Sequence, residues 1–172
     1  SLGTQVFSPQ VHISERPHLP RALGSSPFDD DGVATQDREV VEAGVLKGYF
    51  LSTYSARKLG MRTTGNAGGS HNLIVRPGKR DLVGLAALMG RGLLVTEVLG
   101  QGVNYVTGDY SRGASGYWVE NGEIRHPVQE ITIAGNLKDM LRGIVAVGSD
   151  VLVRGSKQVG SILLERMTIA GS

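Results

Sequence analysis

Apolar and polar positions alternate most clearly between Gly108 and Thr132, in GDYSRGASGYWVENGEIRHPVQEIT, and the stretch divides at Asn121-Gly122. That pair accepts positive φ at both central positions of a type I′ turn, so it predicts a two-residue β-hairpin. Counting outward from the turn, Glu120 faces Glu123, Val119 faces Ile124, Trp118 faces Arg125 and Tyr117 faces His126. A period of two then puts Val119, Ile124, Tyr117 and His126 on one face, and Trp118 and Arg125 on the other. Pro127 has no N–H to give a ladder. The return strand must break its pairing there or run along an edge before Val128, Ile131 and Ile133 resume, one sheet continuing past a kink.

Elsewhere the pattern is shorter. Val11-His12-Ile13 alternates among Pro9, Pro17, Pro20 and Pro27, which predicts an edge strand followed by a proline-pinned loop. Residues Arg38 to Ser52 predict a second hairpin; Ala43 resists positive φ, so its turn is expected to be longer or bulged. Ser55 to Gly60 predicts one helical turn, and DLVGLAALM predicts a helix with Asp81 as N-cap and Gly90 past its end. A third short helix is expected over Leu137 to Val145, with Asn136 as its cap. Strands are expected over Leu93 to Leu99, Val151 to Arg154 and Ser161 to Ile169. The acidic run Phe28-Asp29-Asp30-Asp31-Gly32 lacks the alternate carboxylates and closing Glu of an EF-hand, and reads as a solvated turn.

Twenty-five glycines, set in turn-like pairs, favour many short strands over helices. The expected fold is a mainly antiparallel β domain, a sandwich or incomplete barrel with two or three short helices, formed by residues 1–172 as one unit. Eighteen basic residues against sixteen acidic ones leave no nucleic-acid footprint. No run approaches the roughly 18 apolar residues that span a bilayer, so no membrane contact is expected. Cysteine is absent, which rules out disulfides, thiolate ligands and a cysteine nucleophile, and suits a reducing cytoplasm. The chain opens Ser-Leu-Gly, without Met, and reads as a piece of a longer protein.

Catalytic constellations are hard to find. His12, His18, His71 and His126 are scattered, with no pair at the spacing of a His-Glu-x-x-His helix. Ser115 misses the nucleophile-elbow spacing, and the strand after it contradicts the helix an elbow needs. The loop Gly65 to Asn72 lacks the Lys-Ser/Thr pair of a phosphate loop. No catalytic residue and no metal ligand is assigned. Two glycine-rich segments remain as candidate peptide or partner contacts: Gly68, Gly69, Ser70, His71 and Asn72 in one loop, and Asp109, Tyr110 and Arg112 in another that starts at Gly108. Alternatively, these glycines only satisfy backbone geometry, and Asp109 and Arg112 pair locally.

GDYSRGASGYWVENGEI, followed by PVQEITIAGNLKDM, closely resembles the C-terminal domain of the TldD/PmbA family, on its PmbA (TldE) side. The resemblance extends through YSARKLG, TGNAGGSHN and VTEVLGQGVN to the closing Ile169-Ala170-Gly171, and so covers nearly the whole chain. It implies an N-terminal α/β domain before this one. It also implies a non-catalytic subunit that partners a zinc-bearing TldD-like subunit in trimming or degrading small unfolded peptides. In that family the catalytic subunits carry a His-Glu-x-x-x-His helix upstream and a cysteine near the C-terminus. The comparable segment here is Gln158-Val159-Gly160-Ser161. Zinc is therefore expected in the partner and not in this chain. The older family name, modulator of DNA gyrase, implies no DNA contact. A homodimer of the isolated chain stays open, as do two other functions: a regulatory interaction module, and a self-sufficient hydrolase completed by an N-terminal region.

Overall fold

The computed structural model describes residues 1–171. Along them run β1 (Ile13–Glu15), β2 (Arg38–Glu42), β3 (Val45–Leu46), α1 (Thr53–Lys58), β4 (Leu73–Val75), α2 (Leu82–Met89) and β5 (Gly92–Leu99). There follow β6 (Asp109–Glu120), β7 (Glu123–Asn136), α3 (Leu137–Arg142), β8 (Ile144–Val147), β9 (Leu152–Arg154), β10 (Lys157–Val159), β11 (Ile162–Leu164) and β12 (Thr168–Ala170). The fold is mainly β with three short helices and, among the described residues, no closed barrel. Contacts divide it into two compact units. Unit 1 is Ser1–Pro77 with Val151–Gly160; unit 2 is Gly78–Asp150 with the segment from Ser161 onward.

Unit 1 is a six-stranded sheet in the order β3-β2-β1-β4-β10-β9, in which only β10 and β4 run parallel. Its apolar interior is formed by Val11, Val40, Val41, Leu51 and Ala56. Two expectations are corrected here. The first strand lies inside the sheet and not at its edge, because β1 ends at Glu15 and Pro17 falls after the ladder. The second hairpin has a two-residue turn, not a longer one: Ala43 sits at φ 47° and Gly44 at φ 79°, pairing Glu42 with Val45. The N-terminal segment fixes this turn. Gly44 donates its N–H to the Val11 carbonyl at 2.9 Å, and its own carbonyl accepts from Val6 and Phe7, both at 3.0 Å. A Cβ at Gly44 would stand 2.4 Å from the Phe7 carbonyl oxygen, so only glycine fits. The hairpin strand stops at Leu46, well short of Ser52. Strands β4 and β10 had no counterpart among the expected elements.

Unit 2 holds a four-stranded sheet, β12-β7-β6-β5, and the β11-β8 pair. Its hairpin is longer than expected and turns at Asn121 (φ 55°) and Gly122 (φ 75°). Glu120 pairs with Glu123 and Val119 with Ile124, as expected. Arg125 is then an extra residue, so Trp118 faces His126 and Tyr117 faces Pro127. This bulge moves His126 from the expected shared face to the face of Trp118; Val119, Ile124 and Tyr117 keep their face, on which Val119 is fully buried and Ile124 and Tyr117 are exposed. A second bulge puts the kink at Gln129-Glu130, with Glu130 at φ 55°. Ala114, Ile131 and Ile133 form a core against which Leu93, Tyr110, Val128 and Met167 pack. Asp81 caps α2 through Gly84, and Gly90 ends it at φ 69°, as read from the sequence. Asn136 caps α3, which ends at Arg142 because Ile144 already belongs to β8. The expected Ser161–Ile169 strand is two strands, β11 and β12, separated by Glu165, Arg166 and Met167.

Candidate functional site

The loop after α1 is built around one buried carboxylate. Glu15, on β1, is 1% exposed. One of its oxygens accepts from Asn66 Nδ2 and from the His71 N–H, both at 2.8 Å. The other accepts from Arg38 Nε at 2.7 Å, across the β1–β2 pairing that sets Glu15 opposite Arg38. Arg38 is itself shared: it donates to the Tyr49 carbonyl at 2.8 Å and to Asn66 Oδ1 at 3.0 Å, and its guanidinium lies 5.0 Å from the Phe50 ring centre. Asn66 completes its bonding by donating to Gly69 O at 3.1 Å and accepting from Thr64 Oγ1 at 2.7 Å. A buried charge held this way is fully paired, which is the condition under which burying it is tolerated.

A second carboxylate holds the same loop from the other side. Of the acidic run read as a solvated turn, Phe28, Asp30, Asp31 and Gly32 are exposed, but Asp29 is buried. Asp29 accepts from the N–H groups of Ala67 and Val33 at 2.9 Å and of Asp31 at 3.0 Å. Burial by itself pushes its pKa up. The three N–H donors and the nearby His71 imidazole outweigh burial and hold the carboxyl below its ordinary value of 3.8.

Within this frame the candidate residues divide. The Asn72 side chain is committed inside unit 1: it accepts from Gly24 N at 2.9 Å and donates to Arg16 O and Ser25 Oγ, both at 2.8 Å. The His71 ring bonds the Gly65 carbonyl at 2.9 Å, and Ser70 Oγ accepts from Lys157 Nζ at 2.7 Å. Gly68 and Gly69 form the exposed tip, at φ 91° and φ 123°. A Cβ on Gly68 would strike the Asp30 carboxylate, whereas one on Gly69 would have no neighbour within 4 Å.

Asp109, Tyr110 and Arg112 belong to unit 2 and lie on β6 itself, not in a loop. Asp109 accepts from Thr107 Oγ1 at 2.6 Å, and Arg112 donates to the carbonyls of Leu99 and Gly100, so the two do not pair with each other. Tyr110 lines a cavity of about 570 Å³ whose walls also include Leu85, Met89, Leu93, Ile133 and Met140. Glu15, Arg38, Asn66 and Asp29 were not singled out from sequence. The available signal was weak: a charged residue at an inward position of a short strand, and an Asn inside a glycine-rich loop.

A zinc centre needs three or more converging ligands. Here the imidazoles of His12, His18 and His71 bond Ala43 N, Thr35 Oγ1 and Gly65 O respectively, and His126 is exposed on β7. Among the described residues no three His, Cys, Asp or Glu side chains gather as a metal site. The donor set of this chain does not fit the metal.

The family model described as the PmbA/TldA metallopeptidase C-terminal domain matches residues 1–171. A Haemophilus influenzae protein named metalloprotease PmbA homolog is 59% identical over 172 residues, 99% of this chain and 38% of that protein. The same organism's metalloprotease TldD homolog is 28% identical over 157 residues, 85% of this chain and 33% of that protein. Among solved structures, a Thermotoga maritima protein named as a DNA gyrase modulator superposes with a TM-score of 0.89 at 46% identity, covering 98% of this chain and 41% of that one. TldE from Thermococcus kodakarensis gives 0.84 at 26% identity, covering 99% and 42%. The chain thus spans between a third and about two fifths of the length of these relatives. With the match running from the first residue through Gly171, the chain belongs to the PmbA/TldD metallopeptidase family and carries that family's C-terminal domain.

Proposed function

We propose that this chain is the C-terminal part of a PmbA (TldE)-type subunit that completes the peptidase of a zinc-bearing TldD-type subunit. In this reading an N-terminal α/β region precedes it, the complex works in the cytoplasm, and its substrates are small unfolded peptides. The contrast within one organism carries the reading: the chain is 59% identical to the PmbA homolog of Haemophilus influenzae and 28% identical to the TldD homolog. The donor set agrees with it, since Val159 stands in the segment comparable to the cysteine-bearing one of the catalytic subunits.

The exposed Gly68-Gly69 tip is the proposed contact. It is held from below by Glu15, Asn66 and Asp29, so its backbone is presented in one conformation, and a partner chain meets no side chain at Gly69. Preorganisation of this kind lowers the ordering cost of binding. Peptide cleavage by the mixed full-length subunits, with each alone as control, tests the reading. The mixture is expected to cleave and the PmbA-type subunit alone is not. Gly69→Val and His71→Ala should each lower the mixture's activity by about tenfold, the scale of a contact worth more than 1 kcal/mol. Each variant is melted to show that it still folds. Cleavage by the isolated PmbA-type subunit refutes the partner role. Full activity of both folded variants refutes only the choice of loop.

A further inference from the structure

The sequence contains one Asn-Gly pair, Asn121-Gly122, and one Asp-Gly pair, Asp31-Gly32. A glycine has no side chain to shield its own backbone nitrogen, so these are the places where that nitrogen most easily reaches the side-chain carbonyl carbon of the residue before it. Both nitrogens are engaged. The Gly122 N–H donates to the Gly90 carbonyl at 2.7 Å, and the Gly32 N–H donates to the Asp29 carbonyl at 2.9 Å. The two sites are secured differently. Asp31 is also tied through its carboxylate, which accepts from the Thr53 N–H at 2.9 Å and from the Thr53 hydroxyl. Asn121 is exposed, and what restrains its pair is the seating of the hairpin tip on the last turn of α2, where a Cβ on Gly122 would stand 2.9 Å from Ala87 Cα.

We propose that Asn121 is a site of spontaneous deamidation, gated by whether the hairpin tip sits on α2. When the tip lifts, the Gly90 carbonyl releases the Gly122 nitrogen, which attacks Asn121 Cγ. The new N–C bond closes a five-membered imide, the Gly122 proton goes to the departing amide nitrogen, and ammonia leaves. Water then opens the ring at either carbonyl, giving aspartate or isoaspartate. The product no longer suits the seat. It places a third carboxylate beside exposed Glu120 and Glu123, next to the carbonyl end of α2, where the helix dipole disfavours negative charge. Isoaspartate also adds a methylene to the backbone of a two-residue turn whose length sets the pairing of Glu120 with Glu123. The step therefore runs one way, and a tip that has reacted reseats poorly. This inference concerns unit 2 alone and does not rest on the TldD-type partnership proposed above.

The full-length protein is aged at mildly alkaline pH, and peptide mapping by mass spectrometry follows the conversion of amide to acid at Asn121. The reference is the free peptide VENGEIR, Val119 to Arg125, under the same conditions. Asn121 in the folded protein should react on the order of tenfold or more slowly than in the peptide, and urea should abolish the difference. Gly90→Ala puts a Cβ on a residue at φ 69°, and Ala87→Leu enlarges the side chain that Gly122 packs against. Each should speed the reaction at Asn121 roughly fivefold by favouring the lifted tip. Asp31-Gly32 is the internal control, since Asp31 forms isoaspartate by the same ring closure with water leaving, and its rate should stay at the parent value. A folded protein that reacts as fast as the peptide, two variants that react at the parent rate, or an acceleration shared by Asp31 each overturns the proposal.

Discussion

Replacing Glu15 by Gln keeps the shape of the side chain and removes its charge. The amide oxygen can still accept from Asn66 and His71, but its NH2 then points at Arg38 Nε, a donor facing a donor across 2.7 Å. Breaking a buried ion pair on one side costs roughly 3–5 kcal/mol, since the remaining charge is stranded. Arg38 keeps the Tyr49 carbonyl, Asn66 Oδ1 and the Phe50 ring, so the lower end, about 3 kcal/mol, is expected here. With a urea dependence of about 2 kcal/mol per molar, the midpoint falls by about 1.5 M. Arg38→Gln should cost a similar amount. The double variant Glu15→Gln with Arg38→Gln should cost less than the sum of the singles, because each single change already removes the interaction the two side chains share. Urea denaturation followed by circular dichroism measures all three. A midpoint shift under about 0.3 M for Glu15→Gln, or a double variant as unstable as the sum of the singles, would show that pairing is not what this carboxylate does.

The turn at Ala43-Gly44 should respond with opposite signs at its two positions. Gly44→Ala, with a Cβ 2.4 Å from a carbonyl oxygen, is expected to destabilise by about 2 kcal/mol or more, and Ala43→Gly or Ala43→Asn to stabilise by about 0.5–1 kcal/mol, read as denaturation midpoints. Asp29 makes the loop acid-sensitive. Its folded pKa lies below the unfolded value, so its contribution is complete above about pH 4 and is lost as pH falls through the folded pKa. Asp29→Asn should therefore be less stable than the parent at neutral pH, with the gap closing below pH 4; a gap independent of pH would refute the depressed pKa.

Local rules read the helix caps and the Asn121-Gly122 turn correctly because their signals lie within three or four residues of the structure they set. Asp81, Asn136 and Gly90 need no distant partner to act as they do. The register beyond Val119 was misread for a different reason: a bulge adds one residue without changing the apolar pattern, and only the partner strand reveals it. Strands β4 and β10 pair across more than eighty residues, so nothing near them in sequence announces either. Among the candidate contacts, the Gly68-Gly69 tip was legible from its glycines. The buried frame beneath it was not, since Glu15, Arg38 and Asn66 come together only when three separate segments meet.

Unit 1 is not a continuous piece of chain. Its sheet is complete only when Lys157–Val159 lies beside β4, while unit 2 takes residues on both sides of that return, from Gly78–Asp150 and again from Ser161. During synthesis, a ribosome that has released the chain as far as Asp150 has finished neither half, and about twenty more residues must emerge before both sheets can close. Long-range closure of this kind slows folding and leaves strand edges bare in the meantime. The same interleaving means that no single cut yields an intact half: a stop codon anywhere before Lys157 leaves β4 without its parallel neighbour, and one just after Gly160 leaves β8 without β11.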